Sequence, residues 1–582
     1  MLRMFIASAA ADRLRAACEF LDAAAPSSEV LVVSAQRGGA DDLVRDLARE
    51  HRATFGFHRF SLTQLAYRLA AGRLAERALT PVTALAAQAS AAHVAYRLSS
   101  NGAMPYFAPV SEYPGFAPSL TRTLDELRGA GVEQVDGDLG RLLAAYNAEL
   151  EENGFSDAAL LFELAEVPAE IPRLLLLDVR AESRSQREFL RRLVNASKDV
   201  LATAHPADEA TRHFFEGAEI VPTPQQTPRT SLERLRANLF APESLPPADF
   251  DPSVVFFSAP GEGREAVEIA RAVMAHARRG TPFDEMAILL RSPEKYQAHL
   301  EAAFARAAIP AYFARGSRRP DPAGRGLLAL MTCAGEGLSA RRFGEYLSLG
   351  QVPITPVVDP WRPPEMMAVD VEEQRSEGEV NDIEPYRWEA LLVEAAVIGG
   401  KERWHRRLRG LEAELRRRLE ELRSEEPEAS RIDVLERQLA RLGQLRDFAL
   451  PIIERLDALR TCRSWRDWID ALRDLAAATL RDPDRVLEVL TELEPMAEIG
   501  EVEIGEVIVT LAERLSSLEV RPPRRREGGV FVAPIEQAAG RSFKAVFVPG
   551  LVERGFPQKV REDPLLLDAA RGQLSPDLET SR

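Results

Sequence analysis

The sequence predicts an α/β protein with two parallel β-sheets, each belonging to a domain that carries a helical insertion. Three observations support this prediction. Short apolar runs alternate with helical patterns near the amino terminus, and the same alternation returns after a Pro-rich stretch. A long and almost wholly helical region then precedes the last strand patterns. Alternating strands and helices are typical of parallel sheets covered by helices.

The first α/β unit begins at the amino terminus. Residues 4–8 (MFIAS) predict a strand, and the helical spacing that follows predicts a helix through Leu21. Residues 29–34 (EVLVVS) are a continuous apolar run, as expected of a strand buried on both faces. QRGG predicts a turn, and a helix follows it. Later elements are a helical region from about Ser61 to Leu98 and two further strands at residues 171–179 and 200–204.

A second α/β unit follows a stretch rich in Pro, Thr and Ser at residues 217–253, which predicts a linker. SVVFFSAP, at residues 253–260, predicts a strand, and the following residues predict a helix. The remaining strand predictions are EMAILLRS, IPAYF, GGVFVAPIEQAAG and KAVFVPG. Because the last two lie beyond a long helical region, the second unit is predicted to be discontinuous.

These patterns predict the following domain boundaries. The first domain covers residues 1–245, with a helical insertion at about 75–150; the second covers 251–335 plus 520–582; and its helical insertion covers 336–519, with a long helical hairpin at about 401–460. The hairpin helices alternate Glu and Arg at helical spacing, which favours a solvated face with ion pairs. The alternative is a partner-binding coiled coil, although strict heptads do not persist.

Composition limits the class of protein. The net charge of −16 excludes a globally basic nucleic-acid coat but allows a basic groove on an acidic body. Cys18, Cys333 and Cys462 lie far apart and form no CxxC motif, so we expect reduced, buried thiols and no structural zinc site. No apolar run reaches the roughly 18 residues that a membrane helix needs. These features predict a cytoplasmic protein without membrane contact.

Two α/β units with helical insertions predict paired RecA-like domains of the P-loop NTPase type, which bind ATP between them. A phosphate-binding loop would follow the first strand, where Gly residues let backbone N–H groups approach the phosphates and a Lys neutralises them. Residues 8–13 (SAAADR) contain neither Gly nor Lys, and no Lys precedes Lys198. ATP binding is therefore predicted to be lost. Asp178 ends an apolar strand but is followed by Val179, which favours a capping role over Mg²⁺ binding.

Several segments, taken in order, resemble the B subunit of AddAB-type helicase–nucleases and, more distantly, UvrD-like superfamily 1 helicases. EVLVVSAQRGGADDLVRDLA resembles the family's strand–turn–helix beside single-stranded DNA, and HRFSLTQLAYRLA resembles its next DNA-side helix. IPRLLLLDVRAESRSQREFLRRL is similar to the degenerate acidic-motif strand. The other matching segments are YPGFAPSLTRTLDELRGAGV, VVFFSAPGEGREAVEIARAV, FDEMAILLRSPEKYQAHLEAAFARAAIPAYF and VFVAPIEQAAGRSFKAVFVPGLVERGFPQ.

The resemblance implies a non-catalytic, helicase-like DNA-binding scaffold that acts in double-strand-break repair and recombination. Its implied partners are single-stranded or tailed DNA and a catalytic AddA-like helicase–nuclease subunit, with which it would form a heterodimer. Members of the family continue into a PD-(D/E)xK nuclease domain, often with iron–sulfur cysteines, and this sequence contains neither feature. We therefore expect no ATP, iron–sulfur or Mg²⁺ cofactor in this chain, and a lost or truncated nuclease domain.

Two alternatives remain open. The chain is either an active ATP-dependent helicase or nuclease subunit with atypical motifs or a truncated nuclease domain, or a protein-interaction module without DNA affinity. The first alternative makes it an enzyme, so enzymatic activity is not decided by the sequence.

Basic side chains in loops of the second α/β unit are the candidate DNA contacts, because loop arginines suit phosphate groups. The alternatives are a solvated basic loop and, for Arg291, a plain salt bridge. Exposed aromatic residues of the first unit, from Phe55, Phe57, Phe60 and Tyr67, are candidates for base stacking. The predicted DNA-binding residues are Arg291, Arg315, Arg318, Arg319, Arg541 and Lys544.

Overall fold

The computed structural model shows an α/β protein with parallel sheets. It describes residues 1–24, 28–51, 55–113, 115–222, 228–239, 247–316, 321–353, 387–425, 430–518, 522, 526–553, 555–556 and 562–580. The chain divides into two compact units. Unit 1 comprises Met1–Val82, Ser119–Arg319 and Glu519–Arg582, and unit 2 comprises Thr83–Pro118 and Pro320–Leu518.

The first sheet of unit 1 has six strands in the order β3-β2-β6-β7-β1-β8, and every neighbouring pair is parallel. Its strands are β1 (Leu2–Ile6), β2 (Val30–Ser34), β3 (Phe57–Ser61), β6 (Ile171–Leu177), β7 (Ser197–Ala204) and β8 (Glu219–Val221). A separate two-stranded ladder joins β4 (Thr80–Pro81) to β5 (Phe155–Ser156).

Helices cover both faces of this sheet. Successive side chains of a strand point to opposite faces, so Leu174 and Leu176 of β6 enter one core cluster and Leu175 and Leu177 enter the other. The continuous apolar runs of β2 and β6 thus reflect burial on both sides, as the sequence predicted. The helices on one face are α1 (Ala10–Asp22) and α2 (Arg37–His51); those on the other are α3 (Leu62–Glu76), α8 (Ala158–Leu164) and α9 (Arg184–Ala196).

The second sheet of unit 1 has four parallel strands in the order β10-β11-β9-β12. They are β9 (Met286–Leu290), β10 (Ala311–Phe313), β11 (Val530–Pro534) and β12 (Ala545–Phe547). One face packs against α12 (Glu262–Arg278) and α13 (Pro293–Arg306). The chain leaves the sheet after β10 and returns more than two hundred residues later to its centre as β11. Unit 1 also contains α6 (Phe116–Gly129, mostly), α7 (Gly137–Glu152), α10 (Glu209–Phe214), α11 (Ser231–Asn238) and α22 (Asp568–Leu574).

Unit 2 is helical throughout its described residues, apart from loops and an isolated bridge. Four Trp side chains, Trp388, Trp404, Trp465 and Trp468, are each almost fully buried in its core. Its helices are α4 (Ala84–Ser100), α5 (Ala108–Ser111), α14 (Pro322–Gly335), α15 (Ala340–Ser348), α16 (Trp388–Glu394), α17 (Lys401–Glu425), α18 (Arg431–Ala458), α19 (Trp465–Thr479), α20 (Asp484–Thr491) and α21 (Ile504–Ser516).

A buried polar pair fixes α4 among the other helices of unit 2. His93 Nδ1 lies 3.1 Å from Glu506 Oε1, and both side chains are buried. Burial of a charged group is costly unless it is paired. The His93–Glu506 pair joins α4 to α21. Residues Thr83–Pro118, which the sequence assigns to the insertion of the first domain, belong to the same unit as the helices of residues 320–518.

Sequence-based prediction of local structure fails at the following places, of which the last is a missed strand. SVVFFSAP forms no strand, and Val255 and Phe256 are 75% and 66% exposed. The stretch predicted as a linker contributes β8 to the first sheet and also forms α11, whose first turn has a capping box between Thr230 and Glu233. β3 was not predicted, because its sequence, FHRFS, is polar and short, as is common for a strand at a sheet edge.

The three cysteines are free, with Cys333 and Cys462 buried as predicted and Cys18 half-buried. Among the described helices, none is both long enough and apolar enough to cross a membrane. Within the same residues, no three His, Cys, Asp or Glu side chains cluster as metal ligands would.

A close helix contact in unit 2 generates a stability prediction. A Cβ atom on Gly324 of α14 would lie 2.1 Å from the carbonyl oxygen of Leu515 in α21, so the two helices must move apart in Gly324→Ala. We expect a loss of about 1–3 kcal/mol in the free energy of unfolding. Gly443→Ala, in α18, meets open space and is expected to gain roughly 0.5–1 kcal/mol. Denaturant unfolding of both variants measures the difference; equal effects would contradict this account of the contact.

Candidate functional site

The carboxyl ends of β1, β6 and β7 lie side by side at one edge of the first sheet. In open α/β sheets, ligands bind at the carboxyl edge. The loop between β1 and α1, which would hold phosphates in a P-loop enzyme, leaves the sheet at this edge. The side chains found there decide what the edge can bind.

The Arg13 side chain lies in this place and is 10% exposed. Its guanidinium makes a two-pronged contact with Asp178, with Nε donating to Oδ1 at 2.8 Å and Nη2 donating to Oδ2 at 3.1 Å. Nη1 donates to the backbone carbonyl of Ala7 at 2.6 Å and to that of Ser8 at 3.3 Å. A phosphate-binding loop turns backbone N–H groups toward its ligand. Here carbonyl oxygens of the loop face a cation from the protein itself.

Two side chains, Arg13 and Thr203, hold Asp178 in position. Its backbone φ is +51°, an uncommon conformation for a residue with a side chain. The hydroxyl of Thr203, on β7, donates to Oδ1 at 2.9 Å, in addition to the two Arg13 contacts. Asp178 does not cap the next helix, because α9 is capped by Ser183, whose hydroxyl accepts from the backbone N–H of Gln186.

His205, in the loop after β7, belongs to the same edge. Burial is the main cause that lowers the pKa of His205 from its ordinary value, and the nearby Arg13 cation lowers it further. A neutral imidazole adds no second cation beside Arg13. The edge therefore contains a matched cation and anion rather than an excess of positive charge for a phosphate.

A second ionic cluster lies on the other face of the second sheet. Arg541 Nε donates to Asp42 Oδ2 at 2.8 Å, and Arg526 Nη2 lies 3.2 Å from the same oxygen. Arg45 Nη1 donates to Asp42 Oδ1 at 2.8 Å. Asp42 is on α2, which packs on the first sheet, so one carboxylate ties together both sheets of unit 1.

Aromatic rings of the second sheet support the two arginines. The Arg541 guanidinium lies 4.5 Å from the centre of the Phe531 ring, and the Arg526 guanidinium lies 5.3 Å from it. A guanidinium over an aromatic ring is attracted by the negative ring face. Burial lowers the pKa of Arg526, and the neighbouring Arg541 adds to this effect, whereas Asp42 opposes it.

The first turn of α2 leaves room for this cluster because it contains a glycine. A Cβ atom on Gly38 would lie 2.2 Å from Arg541 Nη2. On the opposite side, Gly540 has a φ of +71° and its Cβ position lies 3.2 Å from a methyl carbon of Leu177 at the end of β6. Gly38 and Gly39, which the sequence predicted to form a turn, instead belong to α2 and pack against the residues around Arg541.

The structure separates the predicted DNA-binding residues. Arg291 and Arg315 follow β9 and β10, so both lie at the carboxyl edge of the second sheet, where Arg315 is exposed. Arg291 is 45% exposed and lies 3.3 Å from Glu536 Oε1, which is the salt bridge considered as its alternative. Lys544 precedes β12 and pairs with Glu285 at 2.5 Å, at the opposite edge.

The remaining predicted residues fall into two groups. Arg541 is 11% exposed and belongs to the Asp42 cluster. Arg318 and Arg319 lie outside the described residues. DNA contact by any of these side chains stays a prediction. Among the candidate stacking residues, Phe55 and Tyr67 are 82% and 53% exposed, whereas Phe57 and Phe60 are half-buried.

Asp42 and Arg13 were not assigned these roles from the sequence. Asp42 fits the ordinary pattern of an acid in the first part of a helix, and nothing local links it to Arg541, 499 residues away. Arg13 offered a weak signal, since it is the first cation after a strand that lacks the expected Lys. Its pairing with Asp178 spans 165 residues and depends on the order of strands in the sheet.

No protein-family model matches this chain, and no curated protein matches it either.

The Arg13–Asp178 contact generates a prediction about stability. Asp178→Ala leaves a buried guanidinium without its carboxylate, which costs about 3–5 kcal/mol in the free energy of unfolding. The matched control is Asp12→Asn, which breaks the exposed ion pair with Arg15 and is expected to cost at most about 1 kcal/mol. Urea unfolding measures both. Similar losses of unfolding free energy in the two variants would mean that the buried ion pair contributes no more to stability than an exposed one.

The Asp42 cluster generates a prediction about coupling. Asp42→Asn leaves the Arg526 and Arg541 cations beside each other without their shared carboxylate. We expect a loss of about 3 kcal/mol in the free energy of unfolding. Adding Arg541→Gln should recover part of the loss, which gives an interaction energy of roughly 1–3 kcal/mol in a double-mutant cycle.

The control for this cycle is Glu188→Gln, on α9 of the same unit, whose carboxylate pairs with exposed Arg184. Its expected cost is below about 1 kcal/mol. Strictly additive effects of Asp42→Asn and Arg541→Gln would show that the carboxylate does not couple the two sheets.

Proposed function

We propose that this protein is a non-catalytic, helicase-like DNA-binding scaffold, the AddB-like subunit of an ATP-dependent helicase–nuclease for double-strand-break repair and recombination. In this proposal, the two parallel sheets of unit 1 are two RecA-like domains. The catalytic partner is an AddA-like subunit, and the ligand is single-stranded or tailed DNA. One observation carries the proposal, namely the Arg13–Asp178 ion pair at the carboxyl edge of the first sheet.

The Arg13–Asp178 ion pair disfavours nucleotide binding for an electrostatic reason. A nucleotide site needs uncompensated positive charge and free backbone N–H groups for the phosphates. The Arg13 guanidinium is already committed to Asp178 and to two backbone carbonyls. An acid that would hold Mg²⁺ through its oxygens instead accepts from Arg13 and Thr203. This arrangement favours a nucleotide-motor fold whose nucleotide site has been replaced by internal contacts.

The carboxyl edge of the second sheet supports DNA binding. Arg291 and Arg315 both lie at this edge, and Arg315 is exposed. The protein as a whole carries a net charge of −16, so general attraction to a polyanion is absent and binding must come from local basic surfaces. Such contacts are made to phosphates, so they carry little sequence preference.

DNA binding is tested by fluorescence anisotropy with a labelled, tailed oligonucleotide over a range of salt concentrations. We expect binding at low salt that weakens as salt rises, because phosphate contacts release counterions. The double variant Arg291→Gln with Arg315→Gln should reduce the slope of log K against log salt by about 1–2 for single-stranded DNA. A matched control, Arg264→Gln with Arg271→Gln, removes two exposed α12 cations that each pair with Glu268. It should leave the slope unchanged.

The outcomes separate the three functional hypotheses. No binding at low salt would contradict the proposal and favour a protein-interaction module. ATP turnover with DNA in the parent chain, and its loss in Arg13→Ala, would favour an active enzyme with atypical motifs. Binding without ATP turnover is the result that the proposal requires.

A further inference from the structure

The long hairpin of unit 2 has an uneven distribution of charge along one helix. In the second half of α17, arginines pair with glutamates one turn away, as in Arg416–Glu412, Arg417–Glu421 and Arg418–Glu414. This half is the solvated, ion-paired face that the sequence pattern predicts. Its arginines are therefore largely neutralised.

The first half of α17 is different. Residues 401–410 contain five Lys or Arg side chains, His405 and a single acid, Glu402. Arg403, Arg406, Arg407 and Arg409 are exposed, and in the described part of the chain no carboxylate lies within ion-pair distance of their guanidiniums. Lys401 and His405 of the same half do have partners, Asp457 and Glu454, each at 3.6 Å.

Three of these four arginines share one side of the helix. With 3.6 residues per turn, Arg403, Arg406 and Arg407 fall within about 100° of each other, opposite the side that buries Trp404 and Leu408. We call these three residues the arginine face. Gly410 lies on the same side, and a Cβ atom there would meet open space. No side chain at this position therefore projects from the helix beside the guanidiniums.

The position of the arginine face near the amino end of α17 does not stabilise this helix. Positive side chains in the first turn oppose the helix dipole, which favours anions at the amino end. Arg403 is in that first turn, and the next turn adds Arg406 and Arg407. Cations that neither pair with acids nor favour the helix are suited to an external polyanion, and guanidiniums bind phosphate oxygens in a two-pronged geometry.

We infer that the arginine face of α17 binds consecutive phosphates of a DNA backbone, as a second contact surface located in unit 2. The inference rests on the proposed function, because it takes the polyanion to be DNA. The positive charge of the arginine face is complementary to the negative charge of DNA phosphates. It is not complementary to an apolar protein surface or to a protein surface with few acidic residues. The contact is made to phosphates, so it does not depend on base sequence.

The test compares two triple variants of the full chain with equal charge change on the same helix. One is Arg403→Gln, Arg406→Gln and Arg407→Gln; the control is Arg416→Gln, Arg417→Gln and Arg418→Gln. Anisotropy titrations use single-stranded and duplex oligonucleotides of equal length at several salt concentrations. Removing the arginine face should lower the slope of log K against log salt by about 2 for single strands or about 3 for duplex, and affinity at 0.1 M salt by roughly ten-fold or more.

The control variant should change the slope little, because its arginines are neutralised by glutamates. The DNA form with the larger change in slope identifies the strand arrangement that the surface binds. Thermal unfolding should show no loss of stability in the arginine-face variant, since its side chains are exposed and unpaired.

A second pair of variants tests the surface by adding charge instead of removing it. Gly410→Glu places a carboxylate on the arginine face, whereas Gly443→Glu places one in open space on α18. We expect weaker DNA binding only in Gly410→Glu. Equal effects of the two triple variants, or an unchanged slope in the arginine-face variant while the parent binds DNA, would overturn this inference and leave the proposed function standing. A parent chain that binds neither oligonucleotide would overturn both.

Discussion

The ion pair between Arg13 and Asp178 is the interaction on which the functional interpretation of this fold depends. It joins the helix after β1 to the end of β6, and Thr203 of β7 completes the contact. The carboxyl ends of three adjacent strands are thereby connected through side chains. In a ligand-binding α/β protein, this edge is left open and polar so that a ligand can make these connections. Here the protein supplies both charges itself.

The Asp42 cluster follows the same principle at a second place. One carboxylate contacts both Arg541 and Arg526, whose guanidiniums also lie over the ring of Phe531. A buried charged pair is weak evidence for extra stability, since burial of its members is itself costly. We expect it to act mainly on specificity, because both arginines reach the carboxylate only when the two sheets are placed as observed. The Arg13–Asp178 pair and the Asp42 cluster thus connect strands and sheets of unit 1 through ion pairs between its own side chains.

Local patterns in the sequence predicted most of the elements but few of these contacts. Apolar runs such as those of β2 and β6 identify strands buried on both faces, because burial alone determines their composition. The same rule failed for SVVFFSAP, whose apolar residues are exposed, since composition does not show whether a partner strand is present. It also missed β3, where backbone pairing to β2 overrides a polar sequence. Arg541 could be recognised as a loop arginine, but its partner Asp42 depends on how two sheets pack.

The distribution of ion pairs divides the arginines of this fold into those that have a carboxylate partner and those that have none among the described residues. Arg13, Arg526 and Arg541 are largely buried, and each has a carboxylate partner. Arg416, Arg417 and Arg418 are exposed but paired within their own helix. The arginine face of α17 belongs to neither class, although it has the same residue type on the same helix. Arginine is common both in structural ion pairs and in ligand-binding sites, so the number of arginines in a sequence does not show how many of them bind a ligand. Only the folded chain shows which arginines are paired and which, like those of the arginine face, have no carboxylate within ion-pair distance among the described residues.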